Sequence, residues 1–448
     1  MDPREALTTR LARDWAGLTP ARIDADATEA ARHCALDWLG CAVAGSREPL
    51  AAILRDTVVG PSGPGPCTVV RGGTADARTA ALANGAAGHA LDFDDTHLLL
   101  SGHPTAPVLP AALAVAEELD APGAALLTAL VVGIEVECRV GAVVNPEHYN
   151  AGWHATGTIG TIGAAAAAAH LLGLDTERFA IALALAATQA SGLKASFGTM
   201  AKPLHAGLAA SAGIVSARLA SGGFTAEPAV LEATQGFGRA AGGAVLDEAR
   251  LARLDRHEGR FVVRETLFKY HAACYLTHAS INAARQLAAK VPAHEIDTVE
   301  VHVAPESLDV CAIPEPATGL EAKFSLRATT AMALLGDDTT DAAAYTDARA
   351  GHPELVALRD RVTVVPVPGR TGTCSKVVVV TGAGDRLEAE DDTGRPAPDL
   401  DAQWTSLAAK CRALVRPVLG DDRAEQLVVA VAGLAELPSA RSLAAVLR

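Results

Sequence analysis

Four short stretches of this 448-residue chain combine residue types able to move protons or hold an anion. The first reads Leu91-Asp92-Phe93-Asp94-Asp95-Thr96-His97 and ends in His103-Pro104; from Asp92 to His103 it carries three carboxylates, two hydroxyls and two imidazoles. Such a set can supply a general acid or base and hydrogen bonds to a carboxylate. A turn in which Asp95 or Thr96 caps a helix is the competing use of the same residues. The second stretch, Gly152-Trp153-His154-Ala155-Thr156-Gly157-Thr158-Ile159-Gly160, leads into an alanine-rich run. Free backbone N–H groups at a helix start can face an anion, with His154 beside them. The plainer use of Gly157, Gly160 and Gly163, three apart, is to let another helix come close. His154 falls outside the periodic apolar pattern and reads as functional.

The third stretch, Phe197-Gly198-Thr199-Met200-Ala201-Lys202-Pro203-Leu204-His205-Ala206-Gly207, sets Lys202 just before a proline and a small-residue helix. There an ammonium adds to the positive field of the helix N-terminus, the alternative being a solvated surface lysine. The fourth, Lys269-Tyr270-His271-Ala272-Ala273-Cys274-Tyr275-Leu276-Thr277-His278, falls where the chain changes character, and clefts between domains are common binding sites. No Cys/His signature surrounds Cys274, so a structural thiol is favoured over a nucleophile. The chain has no HExxH, no paired Cys/His metal spacing, no GxSxG and no P-loop. Glycines 157 to 163 neither form GxGxxG nor follow a strand. Neither a metal nor a nucleotide cofactor is expected.

These stretches need elements to hold them. From about residue 19 to 264 the pattern is almost wholly helical: 26–44, opened by Asp26, then 78–91, 108–119, 123–140, 158–172, 176–190 and 206–221, with a Pro/Gly loop at 60–66 and no strand-like alternation. After Val263 the helix 277–291 is joined by β-branched or alternating runs at 297–303, 362–368, 376–381 and 387–390, with a hairpin turn at 382–384. Helix returns at 404–419 and 423–435. The expected fold is mainly α: an all-α domain from 1–265 completed by 396–448, with a smaller α+β lid domain over 266–395.

At 448 residues two domains are the better prior, and 50% apolar with 20% charged residues gives a large core and excludes a disordered chain. The net charge of −14, with no basic block, argues against nucleic acid or an anionic membrane as partner. In such a field an anionic substrate depends on a few well-placed cations, which makes each Lys and His informative. The eight cysteines are scattered without CxxC, as expected of reduced thiols in a cytoplasmic protein. With no apolar run among the first fifteen residues a signal peptide is not expected, and no apolar window reaches the ~20 residues a membrane span needs.

The four stretches, in this order, resemble the MmgE/PrpD family, which includes 2-methylcitrate dehydratase, cis-aconitate decarboxylase and iminodisuccinate epimerase. The resemblance also takes in residues 35–46, 84–110, 154–175, 197–236, 269–282 and 323–335. It implies a large all-α domain, a smaller α+β lid, a homodimer, and a metal-free active site in an interdomain cleft that takes a small polycarboxylate. Asp92, Thr96, His103, His154, Lys202 and Lys269 match the family's proposed active-site positions, and His278 matches the histidine of its K-x-x-x-x-C-x-x-x-H pattern. Cys274 stands where the decarboxylase branch has a histidine. His271 replaces a usual aromatic, Tyr275 an arginine and Ala328 a tyrosine, which would remove a substrate clamp and a possible acid.

From this follows an expected mechanism. Lys202 and Lys269 hold substrate carboxylates and stabilise the charge left by proton removal next to a carboxylate. His103 or His154 exchanges the proton, Asp92 orients its partner, and Thr96, His271, Cys274 and His278 contact the substrate. The same set serves dehydration, decarboxylation and epimerisation; the breadth of the family ranks dehydration first. A carboxylate-binding protein without activity is the rival from another class.

Overall fold

The computed structural model describes residues 6–243 and 246–448, so the first five residues of the N-terminal stretch lie outside them. Short polar caps set the helix starts. The Asp24 carboxylate accepts from Ala27 N at 2.7 Å and opens Ala25–Gly45. The cap therefore lies two residues before the expected Asp26, which falls in the first turn and still favours the helix there. Asp76, Asp175 and Asp399 cap Ala77–Gly88, Thr176–Ala187 and Leu400–Leu419 in the same way, each such cap contributing about 1 kcal/mol.

The chain divides into two compact units. The first comprises the chain through Ala90, Asp94–Phe268 and Pro396–Arg448; the second comprises Leu91–Phe93 and Lys269–Arg395. The sequence reading assigned residues 91–93 and 266–268 to the opposite units.

The first unit is built around the helix Ala155–Leu171, which is buried from Ala155 through Ala169. Helices Thr105–Leu119, Gly123–Val144 and Ala201–Ser221 pack against it. Small side chains make this possible: a Cβ on Gly163 would lie 2.5 Å from Glu137 Oε2, so this glycine serves close helix approach. The C-terminal helix Leu400–Leu419 packs on Ala25–Gly45, where Lys410 Nζ meets the buried Asp37 carboxylate at 2.6 Å. Where no strand was expected, β1 (Cys67–Val69) and β2 (Gly73–Ala75) pair antiparallel. Three residues are too few for alternation to show. The stretch expected as a Pro/Gly loop is helical over Gly60–Ser62.

The second unit has a four-stranded sheet of order β4-β3-β5-β6, from β3 (Ile296–Val303), β4 (Val362–Pro366), β5 (Cys374–Thr381) and β6 (Arg386–Asp392). The β3–β4 pair is parallel and the others antiparallel. Val299, Val301 and Val303 bury alternate positions of β3. Helix His278–Ala288 packs on β5 and β6, and Leu326–Leu335 packs on β4 and on that helix. The charged, alternately exposed β6 forms one edge, a composition that resists edge-to-edge pairing. A mainly α chain with a smaller α+β unit is the observed fold. Among the described residues no helix is long and apolar enough to cross a membrane, and all eight cysteines carry free thiols.

Candidate active site

In the first unit, imidazoles from distant stretches converge on one carboxylate. His89 closes the helix Ala77–Gly88, and its Nδ1 lies 2.9 Å from Asp94 Oδ2. His103, just before the helix Thr105–Leu119, brings its own Nδ1 to 3.4 Å from the same oxygen. The His89 and His103 rings are 4.4 Å apart edge to face, and His154 stacks on His89 at 5.7 Å. His154 is the N-cap residue of Ala155–Leu171, and its Nδ1 meets His205 Nδ1 at 3.1 Å. Phe197 stands edge-on to His154 at 5.0 Å, and Lys202 Nζ lies 5.1 Å from the Phe197 ring centre. Lys202 is buried in the first turn of Ala201–Ser221, so its charge reinforces the positive end of that helix.

Charge states follow from this enclosure. Burial would raise the Asp94 pKa, but the His89 and His103 imidazoles hold it well below the ordinary carboxylate value. Burial, with Lys202 and His103 opposing a second positive charge against the pull of Asp94, lowers His89 to about 4. Burial and Lys202 likewise hold His154 well below the ordinary imidazole value. At neutral pH both rings are therefore uncharged and able to accept a proton. His89 Nε2 and His154 Nε2 are buried with no hydrogen-bond partner among the described residues, a condition few buried polar groups tolerate without a ligand or water. Adjacent Asp95 is different: burial, then Asp37, raises its pKa, and Thr105 Oγ1 donates to it, so it braces the turn. Donor atoms of His89, Asp94 and His103 lie within 4.8 Å of one another, close enough to hold a cation.

Thr96 belongs to the frame of this unit. It bridges to Leu267 through backbone hydrogen bonds of 2.7 and 2.8 Å, and its hydroxyl donates to Gly102 O at 3.0 Å. Thr156 Oγ1 accepts from His103 N at 3.1 Å, so the threonine at the start of Ala155–Leu171 positions a histidine.

In the second unit, Asp92 takes a left-handed backbone with φ of 51°, uncommon outside glycine. Buried Lys269 fixes it there: Nζ donates to Asp92 O at 2.7 Å and to Asp92 Oδ1 at 3.0 Å. Lys323 Nζ donates to Leu91 O at 2.8 Å, so two buried ammonium groups hold the segment Leu91–Phe93. His271 has both ring nitrogens engaged, Nε2 with Asn282 Oδ1 at 2.8 Å and Nδ1 with the Thr339 hydroxyl at 2.9 Å. His278 begins the helix His278–Ala288, with Nε2 3.3 Å from Ala273 O and its ring 5.1 Å from that of His271. Cys274 is partly exposed, and burial, then the neighbouring Cys274, pushes the pKa of the buried Cys311 thiol up. The Tyr275 hydroxyl donates to Thr393 O at 2.5 Å, and Ala328 is fully buried.

Of the residues expected at the site, His103, His154 and Lys202 fall in the first unit's imidazole cluster, while Asp92 and Lys269 pair in the second. Sequence reasoning did not assign His89, Asp94 or His205 a role. A histidine five residues before a buried aspartate was the available signal for the first two.

A buried carboxylate held by two imidazoles, with a further buried imidazole near an ammonium, can take up and release protons. This chain belongs to the MmgE/PrpD family: the family's N-terminal domain is matched over residues 9–246 and its C-terminal domain over residues 271–435. It is 31% identical over 306 residues to a cis-aconitate decarboxylase of Aspergillus terreus, covering 64% of this chain and 61% of the relative. It is 28% identical over 390 residues to the cis-aconitate decarboxylase of Mus musculus, covering 82% and 78%, and 40% identical over 168 residues to that of Homo sapiens, covering 36% and 34%. The match thus spans about three fifths of the fungal relative's length.

Proposed function

We propose that this protein is a cofactor-independent lyase that decarboxylates a small unsaturated tricarboxylate of the cis-aconitate type. The observation that carries the reading is the buried pair of uncharged imidazoles, His89 and His154, held between Asp94 and Lys202. The curated relatives named as cis-aconitate decarboxylases shift the ranking from dehydration to decarboxylation. In the reaction, the bond from an allylic carbon to its carboxylate breaks and its electron pair becomes a new C=C. The former alkene pair takes up one proton, and CO2 leaves. The imidazole cluster delivers that proton. Lys202 holds a retained carboxylate and stabilises the negative charge that builds up.

Dehydration of a 2-methylcitrate-like hydroxy acid is the second reading, favoured by Cys274 at the position where the decarboxylase branch has a histidine. Purified protein incubated in D2O with cis-aconitate, 2-methylcitrate, citrate and iminodisuccinate, followed by proton NMR, separates the readings. Decarboxylation predicts loss of cis-aconitate with one deuteron in the product, and Cys274→His should raise that rate. Water loss from 2-methylcitrate alone would establish dehydration, and exchange without net turnover an epimerase. No reaction with any of the four would leave a carboxylate-binding relative. The proposal includes a cytoplasmic homodimer, testable by light scattering as twice the 45.7 kDa chain mass.

A further inference from the structure

One imidazole of the cluster differs from the others: His205, in the helix Ala201–Ser221, is only half-buried. Its Nδ1 lies 3.1 Å from His154 Nδ1. Two ring nitrogens at that distance share a single proton, because two N–H groups cannot face each other. The His154 ring therefore has one nitrogen turned to His205 and the other, Nε2, buried without a hydrogen-bond partner among the described residues. The His205 ring is held in place by backbone. Gly192, at φ +130°, passes so close that a Cβ there would lie 3.1 Å from His205 Cγ. A side chain at residue 192 would be strained and would crowd the ring. Buried Lys202 contributes the nearby positive charge, and Phe197 covers the edge of His154.

We propose that His205 is the outer end of a proton relay, passing solvent-derived protons to the reacting carbon through His154. Resting on the decarboxylation reading, the relay supplies the one proton each turnover consumes. Water protonates His205, and His205 Nδ1–H passes to His154 Nδ1 as His154 Nε2–H passes to the substrate carbon. One proton enters from water for each one delivered, and no charge accumulates on His154. A neutral, buried imidazole with one nitrogen toward each side suits this transfer, which needs no stable imidazolium. His205 acts only through His154 and is a positioning and relay residue.

The test uses His205→Gln, which keeps a polar side chain but cannot take up a proton and pass it on at neutral pH, and His205→Ala with added imidazole. The relay predicts that kcat for cis-aconitate falls at least tenfold in His205→Gln while KM stays within about twofold. Imidazole in solution should restore His205→Ala. Exchange of the His154 ring N–H with water, followed by NMR of histidine-labelled protein without substrate, should slow by a similar factor in His205→Gln. The exchange measurement is independent of the substrate, so a wild type inert toward cis-aconitate defeats the decarboxylation reading while the exchange rate still decides the relay. Unchanged exchange in a folded His205→Gln protein, or unchanged kcat in an active one, overturns the relay. If His205→Gln unfolds, His205→Asn is measured in the same two ways.

Discussion

Buried histidines occur in both units, and they are used differently. His271 in the second unit has a protein partner on each ring nitrogen, Asn282 and Thr339, and Asn282 is itself tied to Asp391 at 2.8 Å. His89 and His154 in the first unit each have one nitrogen engaged and one buried without a partner among the described residues. Burial lowers the pKa of all three. Burial and a depressed pKa thus do not distinguish a working imidazole from a bracing one; unused hydrogen-bonding capacity does. A ring whose donors and acceptors are all satisfied by the fold stabilises it, whereas a ring with a nitrogen to spare can exchange a proton.

The largest expected effect falls on His154. His154→Gln should lower kcat by about 10²–10⁴, the usual contribution of general acid–base catalysis, with little change in unfolding because His154 makes no side-chain cap to its helix. Steady-state rates and chemical denaturation on the same preparation check both parts. Lys269→Met comes next: leaving the Asp92 carboxylate buried without its ammonium should cost about 3–5 kcal/mol of stability, read from guanidinium unfolding.

The third prediction concerns pH. The folded-state pKa of His89 is about 4, below its ordinary 6.5, so between these values the unfolded chain binds a proton that the folded chain does not. Stability contributed by His89 is thus fully present above pH 6.5 and is lost as pH falls toward 4, by about 3 kcal/mol at 1.36 kcal/mol per unit. His89→Gln should flatten the measured stability–pH slope in that window by about one proton. The smallest effect is expected at His271. His271→Asn should cost about 1–3 kcal/mol by stranding Thr339 or Asn282, while kcat stays within a few-fold. A large loss of kcat there, without loss of stability, would erase the contrast between the two units.

The helices and the four polar stretches were legible because each is written locally. Apolar periodicity marked Gly123–Val144 within a few residues at its C-terminal end, and the β-branched or alternating runs marked β3 through β6. The three-residue strands β1 and β2 left no periodicity to read. The start of Ala201–Ser221, expected at Ala206, lies earlier because Pro203 sits in the first turn, where a proline breaks no hydrogen bond. His103, His154 and Lys202 were readable as polar residues beside helix starts. His89 was not, since it ends an alanine-rich helix and resembles a core residue by position. Its role depends on Asp94, and that of His205 on His154, 51 residues away, a pairing that only the folded chain creates. Lys269 and Lys323 were visible as lysines, but their task of holding Leu91–Phe93 depends on contacts across 177 and 232 residues.

The most direct test of the contrast is residue-resolved nitrogen NMR of the imidazoles at pH 7, with and without saturating cis-aconitate. The account predicts uncharged His89 and His154 in the free protein, with their ring nitrogens shifting on ligand addition while those of His271 stay fixed. Ligand-induced shifts confined to His271, or His89 and His154 already carrying a charge at pH 7, would contradict it.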